Sequence, residues 1–242
     1  MKNYRDTELK YYAIANVIII MWLYELQEQH GFSLFIGKDV SLEKIIGTLI
    51  NIGLFSSALY VYVFILDSII PSQLKYKICY LFFFRQPGYS IFSKIKYSKT
   101  ICIDSRFTKE DVLKLYADIY NKIDNTFNNS NSKVNGEIEN ASWYRIYSKY
   151  RNDGMIFTSN RDYLLCRDLC IMTILILIFY ILGCIFILSE TPKCKVVFFL
   201  AFEVALTDFA FWLRGSRLVY NVLSLDISNK LNDSTTSNNQ PE

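Results

Sequence analysis

Leu169–Leu188 is a run of twenty residues without a single charge. As a helix rising about 1.5 Å per residue it reaches roughly 30 Å, the thickness of the hydrocarbon core of a bilayer. A soluble domain has little use for such a run, so the rest of the chain is read with a membrane in mind. Ile45–Ile70 is longer, carries Asn51, Gly53 and a near-terminal Asp67, and is stopped by Pro71, which cannot continue a helix. Val196–Leu213 is eighteen residues long but contains Glu203 and Asp208. Each acid costs about 2.5–3.5 kcal/mol at the centre of a membrane helix, so this segment crosses only if the acids find partners or protons. Ser189–Lys195, with Pro192, is a short connection that favours an immediate return through the bilayer. Tyr11–Tyr24 is short for a span; the charged Glu25 and Glu28 follow it in place of a small-residue cleavage site, so a retained anchor over about 11–26 is expected.

These segments predict an all-α integral membrane protein with four transmembrane helices in two hairpins. The first hairpin occupies residues 11–70, with spans about 11–26 and 45–70. The second occupies 169–213, with spans 169–188 and 196–213. Residues 1–10, the segment 71–168 between the hairpins, and the tail 214–242 then share one side, and they hold 22 of the 26 Lys and Arg residues. The positive-inside rule makes that side the cytoplasm, with both termini in it.

The segment between the hairpins is too long to be structureless and should be mostly helical. Ile78–Phe84, flanked by Lys75, Lys77 and Arg85, reads either as an interfacial segment or as part of a small folded domain. Thr108 and Asp111 form a capping-box pattern ahead of Val112, Tyr116, Ile119 and Ile123, predicting a helix over 109–124. Residues 125–136, rich in Asn and Ser, read as a linker. A second helix is expected over 139–152, with Trp143 and Tyr147 on an aromatic stripe that is a candidate partner face and Asp153-Gly154 as its stop. Ser159-Asn160 is expected to cap a helix that runs through Tyr163 and Arg167 into the third span, coupling the cytoplasmic segment to the bilayer. Beyond Leu213 an apolar face continues the last helix, and residues 228–242 read as a disordered tail.

Advancing 100° per residue from Glu203 brings Thr207, Ala210, Arg214, Arg217 and Asn221 to one side of the last helix. That stripe either lines a pore or cavity, or Glu203 bonds a neighbouring helix and specifies packing. Asp208 points elsewhere and needs another partner, in another span or subunit. Asp67 is a further intramembrane polar candidate. The cytoplasmic coupling candidates are Asn160, Tyr163, Arg167, Arg214 and Arg217. One His, at position 30, and six Cys at irregular spacings build no paired zinc motif, and Cys166 with Cys170, one turn apart, lack further ligands. Nucleotide-binding glycine patterns and nucleophile elbows are missing too, so no catalytic, cofactor-binding or metal residue is assigned, no cofactor is expected, and the chain does not read as an enzyme. A net charge of +3 does not point to direct nucleic-acid binding.

Asn160, Tyr163, Arg167 and Leu169 resemble a motif, Asn-x-x-Tyr-x-x-Arg-Arg-Asn-Leu, of poorly characterised bacterial four-span inner-membrane proteins. In that group the motif ends a basic cytoplasmic segment at the start of the third span. Cys166 and Asp168 stand where the motif has Arg and Asn. Pro87, Asp104 and the Tyr144–Arg151 helix look like matching landmarks. The layout also resembles membrane effectors of antiphage defence, such as retron-associated transmembrane effectors. The resemblance implies a multi-pass inner-membrane protein that permeabilises the membrane in abortive infection. It also implies homo-oligomerisation in the lipid bilayer and gating by a cytoplasmic protein or ribonucleoprotein. The competing expectation is a membrane-anchored scaffold or sensor that recruits a cytoplasmic partner without conducting.

Overall fold

The computed structural model describes residues 4–27, 42–80, 86–100, 102–127, 132–188 and 191–237. The helices, in chain order, are α1 Tyr4–Gln27, α2 Leu42–Ile69, α3 Ser72–Tyr80, α4 Ile91–Tyr97, α5 Lys109–Leu115, α6 Ala117–Phe127, α7 Ser132–Tyr150, α8 Gly154–Gly183 and α9 Cys194–Ser237. A 3₁₀ turn at Pro87–Tyr89, a π-helical turn at Cys184–Leu188 and an antiparallel pair, β1 Cys102–Asp104 with β2 Phe107–Thr108, complete the described elements. Two compact units result: residues 1–82 with 165–209, and residues 83–164 with 210–242.

The first unit is built on α1, α2 and α3 with the later part of α8 and the earlier part of α9. Leu9, Ala13, Val63, Met172, Ile176, Val196 and Leu200 form its core. Its outer surface is apolar as well: Leu54, Tyr62 and Ile65 of α2, Ile178 and Leu182 of α8, and Phe198, Phe202 and Leu206 of α9 are exposed. Water would penalise such a surface, whereas hydrocarbon accepts it. Among the described residues, α8 and α9 are long and apolar enough to cross a membrane. Gly53–Ile69 passes the same test only jointly with α3, and the two are bent by 104°. Pro71 makes the bend, since it ends α2 while its carbonyl accepts from Leu74 and Lys75 N–H (2.9 and 3.1 Å) to open α3. Of the expected interfacial run, Ile78–Tyr80 lies at the end of α3, and 81–84 lie outside the described residues.

The second unit has its own core, with Phe92 and Ile95 of α4, Val112 of α5, Tyr120 and Ile123 of α6, Ile146 of α7, Ile156 of α8, and Leu218, Val222 and Leu223 of α9. The capping box is present: Thr108 Oγ1 accepts from Asp111 N–H at 3.2 Å, and Asp111 Oδ2 accepts from Thr108 N–H at 3.0 Å. The Thr108 hydroxyl and amide hold the Asp111 carboxyl below its usual range.

Several expected boundaries move. The helix over 109–124 is broken at Tyr116 (φ −120°, ψ 28°), where the side chain turns inward to donate to Asp226. The linker over 125–136 is mostly helix. Residues 125–127 end α6 and 132–136 open α7, where Asn135 and Gly136 are buried. A Cβ on Gly136 would sit 3.2 Å from the Tyr89 carbonyl, so the missing side chain is what lets the 3₁₀ turn approach. Residues 128–131 lie outside the described ones. The helix expected over 139–152 therefore starts at Ser132, and α8 starts at Gly154 rather than after Asn160. Asp153 is its cap, with Oδ1 accepting from Met155 and Ile156 N–H at 2.9 and 3.3 Å. Helix α9 runs to Ser237 because buried Asp226 and Ile227 tie its far end down, so most of the expected disordered tail is helical. Residues 238–242 lie outside the described ones.

A candidate intramembrane polar site

The first unit buries two groups of polar side chains in its apolar surroundings. The first group joins α1, α8 and α9. Asn16 Nδ2 donates to Glu203 Oε1 at 3.1 Å and to the Tyr12 carbonyl at 3.2 Å. The Tyr12 hydroxyl shares a 2.6 Å hydrogen bond with the Thr173 hydroxyl. Thr173 in turn donates to the Leu169 carbonyl at 2.9 Å. One oxygen of Glu203 is thus partnered across the helix bundle, which offsets part of the cost of holding an acid away from water, while Oε2 is buried without a hydrogen-bond partner among the described residues. Thr207 takes no part, because its hydroxyl donates back to the Glu203 and Val204 carbonyls of its own helix (2.9 and 3.0 Å).

The second group gathers around the α2–α3 bend. Lys75, 5% exposed, pairs with Asp67 at 2.5 Å and stands 3.9 Å from Asp168. Asp168 accepts from Arg167 Nε and Nη2 at 3.0 and 2.9 Å, and the guanidinium lies 5.2 Å from the centre of the Tyr76 ring. Two cations and two carboxylates compensate one another here, the condition under which buried charges are tolerated. Asp67, an intramembrane polar candidate, has a buried lysine as its partner. Asp208 is buried, and neither of its oxygens has a hydrogen-bond partner. The neighbour it was expected to need in another span is not among the described residues.

The remaining candidates lie in the second unit. Tyr163 stacks on Phe211 (ring centres 4.7 Å apart, planes at 9°). Arg214 reaches Asp162 at 3.4 Å, and Arg217 is exposed. Asn160 is half-buried inside α8, where its neighbour Ser159 accepts from Asn221 Nδ2 at 2.7 Å. Asn221 Oδ1 accepts from Arg106 at 2.7 Å, which docks the β-turn on α9. The Glu203 stripe is therefore divided: Glu203 and Thr207 belong to the first unit, and Arg214, Arg217 and Asn221 to the second. Trp143 is buried and covers Gly88, with Tyr147 stacked on it at 5.4 Å. It is a core residue rather than a free partner face, and the exposed ring on that helix is Tyr144.

Residue periodicity singled out Glu203, and the surrounding apolar run singled out Asp67, but neither gave the partners Asn16 and Lys75 or the nearby Tyr12, Thr173 and Asp168. Asn16 in an otherwise apolar stretch of α1 was the one available signal. Among the described residues no three His, Cys, Asp or Glu side chains converge to hold a metal ion. Compared with known proteins, the chain matches no family model, no curated protein and no solved structure.

Proposed function

We propose that this chain is a four-span protein of the bacterial inner membrane, with both termini cytoplasmic, that acts as a membrane effector of an antiphage system. In this reading the resting protein holds Glu203 through its hydrogen bond from Asn16. A cytoplasmic protein or ribonucleoprotein partner gates it, and on release the copies assemble so that the carboxylates face a polar path and membrane integrity is lost. The observation that carries the reading is the Asn16–Glu203 bond, a polar contact between helices inside an apolar bundle, because a bonded acid there is a two-state element. The defence role is supported by the resemblance in layout.

The test is expression of the full chain alone in a bacterial host, comparing wild type with Glu203→Gln at matched membrane levels. Membrane potential and entry of a DNA-binding dye are followed. The expected outcome is depolarisation that the substitution abolishes. Depolarisation that survives the substitution sinks the Glu203 path. An intact potential under strong expression moves the reading to a scaffold or sensor that recruits a partner without conducting.

A further inference from the structure

We infer that Asn16 of α1 and Glu203 of α9 form a site for a monovalent, oxygen-seeking cation of the sodium class. The two side chains are in direct contact, Asn16 Nδ2 donating to Glu203 Oε1 at 3.1 Å. Each also carries a second oxygen, Asn16 Oδ1 and Glu203 Oε2, that is buried and accepts no hydrogen bond among the described residues. Asn16 is 1% exposed, so bulk water does not serve its amide oxygen. The hydroxyls one turn away have no proton left for these oxygens. Thr173 donates to the Leu169 carbonyl, so Tyr12 is the donor in the Tyr12–Thr173 pair, and Thr207 donates within its own helix. Among the described residues no lysine or arginine pairs with Glu203, since Lys75 is held by Asp67 and Arg167 by Asp168. Two acceptors and one uncompensated negative charge thus share one place in an apolar bundle, and burying such a set is costly until a cation is held there.

The chemistry selects the ion. Carboxylate and amide oxygens are hard donors, which soft metals such as copper(I) do not favour. Calcium and magnesium need more such donors, and among the described residues no three His, Cys, Asp or Glu side chains converge. A divalent ion on the single carboxylate would also leave one positive charge unbalanced in the bundle. One sodium on one carboxylate makes a neutral pair, the form that apolar surroundings hold at least cost. Asn16 goes on donating to Oε1 through its nitrogen, while Oδ1 and Oε2 supply the ion. Binding moves no proton and no electron. The contact is the one that carries the effector reading, and the inference rests on that reading for the ion's consequence, which is to hold the resting state. Whether the ion binds is measured without any conduction.

Sodium chloride is the probe. The detergent-purified full chain is titrated with it at constant pH and ionic strength, N-methylglucamine chloride making up the balance, and is read by melting temperature and by binding of radiolabelled sodium. A melting temperature that rises with sodium and levels off is expected, because a ligand of the folded state stabilises it by mass action, together with one labelled ion per chain. Glu203→Gln and Asn16→Ala are each expected to lose both the rise and the label. Ser57→Ala, at an exposed hydroxyl that bonds its own helix, keeps both. A melting temperature indifferent to sodium in wild type overturns the site, as does labelled sodium retained in full by both variants. If a variant loses its helical circular dichroism, wild type decides: label that excess unlabelled sodium does not displace, or that N-methylglucamine displaces equally, refutes the site. Sodium binding by a chain that leaves the host's potential intact keeps the site and moves the function to the scaffold. Depolarisation abolished by Glu203→Gln, with no sodium on wild type, keeps the effector and removes the site.

Discussion

Gly215 shows how a single hydrogen atom sets the packing of the second unit. In the middle of a long helix, alanine is favoured over glycine by about 1 kcal/mol. At Gly215, however, a Cβ would lie 2.8 Å from Tyr163 Cε2 and 3.1 Å from Pro87 Cγ. The Tyr163 ring is stacked on Phe211 and cannot swing aside without losing that contact. Gly215→Ala is therefore expected to destabilise the protein by roughly 1–3 kcal/mol, the cost of overpacking a core. Gly53→Ala is the contrast, because nothing lies within 4 Å of a Cβ there. Thermal unfolding in detergent should show a lower melting temperature for the first and an equal or higher one for the second. If Gly215→Ala also melts no lower than wild type, the close approach of Tyr163 is not as described.

At the scale of elements, helix lengths depend on polar ties that join segments distant in sequence. Asp226 of α9 lies beyond the apolar run and accepts from Tyr116 at the α5–α6 break (2.6 Å), from Tyr150 at the end of α7 (3.0 Å) and from Lys230 of its own helix (2.9 Å). Burial alone would raise its pKa, but Tyr116, Lys230 and Tyr150 outweigh burial and hold the carboxyl below its ordinary value. Because the folded pKa lies below the unfolded one, this tie stabilises the fold fully above about pH 4 and is lost as pH falls through the folded pKa. Asp226→Asn is thus expected to cost roughly 2 kcal/mol at neutral pH, with the gap to wild type closing in acid. Melting curves of both proteins across that range check it, and a gap independent of pH refutes it. Glu139 makes a comparable tie: buried in α7, it accepts from Phe92 and Ser93 N–H at 2.9 and 3.1 Å and so holds the first turn of α4. Its pKa is raised, with burial the leading cause.

For the whole molecule the number of crossings is the decisive quantity. Two spans, α8 and α9, and four spans both leave the chain ends on the same side, so the ends cannot distinguish them. The connection between α1 and α2 can. A fusion of alkaline phosphatase at Gly37, active only outside the cytoplasm, should be active if the first hairpin crosses. Fluorescent-protein fusions at both chain ends should glow. A silent phosphatase with a fluorescent reporter at Gly37 would leave only the second hairpin in the bilayer.

What the sequence determined by itself is what depends on local composition. The charge-free run 169–188 dictates an apolar helix, since only a helix satisfies every backbone hydrogen bond within such a segment. The Thr108–Asp111 box and the stop at Pro71 were legible for the same reason, because each acts within four residues of itself. What reads as polar low complexity was misjudged: Asn135 and Gly136 look like a linker, yet tertiary burial makes them helix. Tertiary structure alone decided which distant groups meet. Asn16 with Glu203, Lys75 with Asp67 and Asp168, and Cys79 with the Arg167 carbonyl are pairings set by the packing of helices, and no period within one helix encodes which neighbour lies across from it.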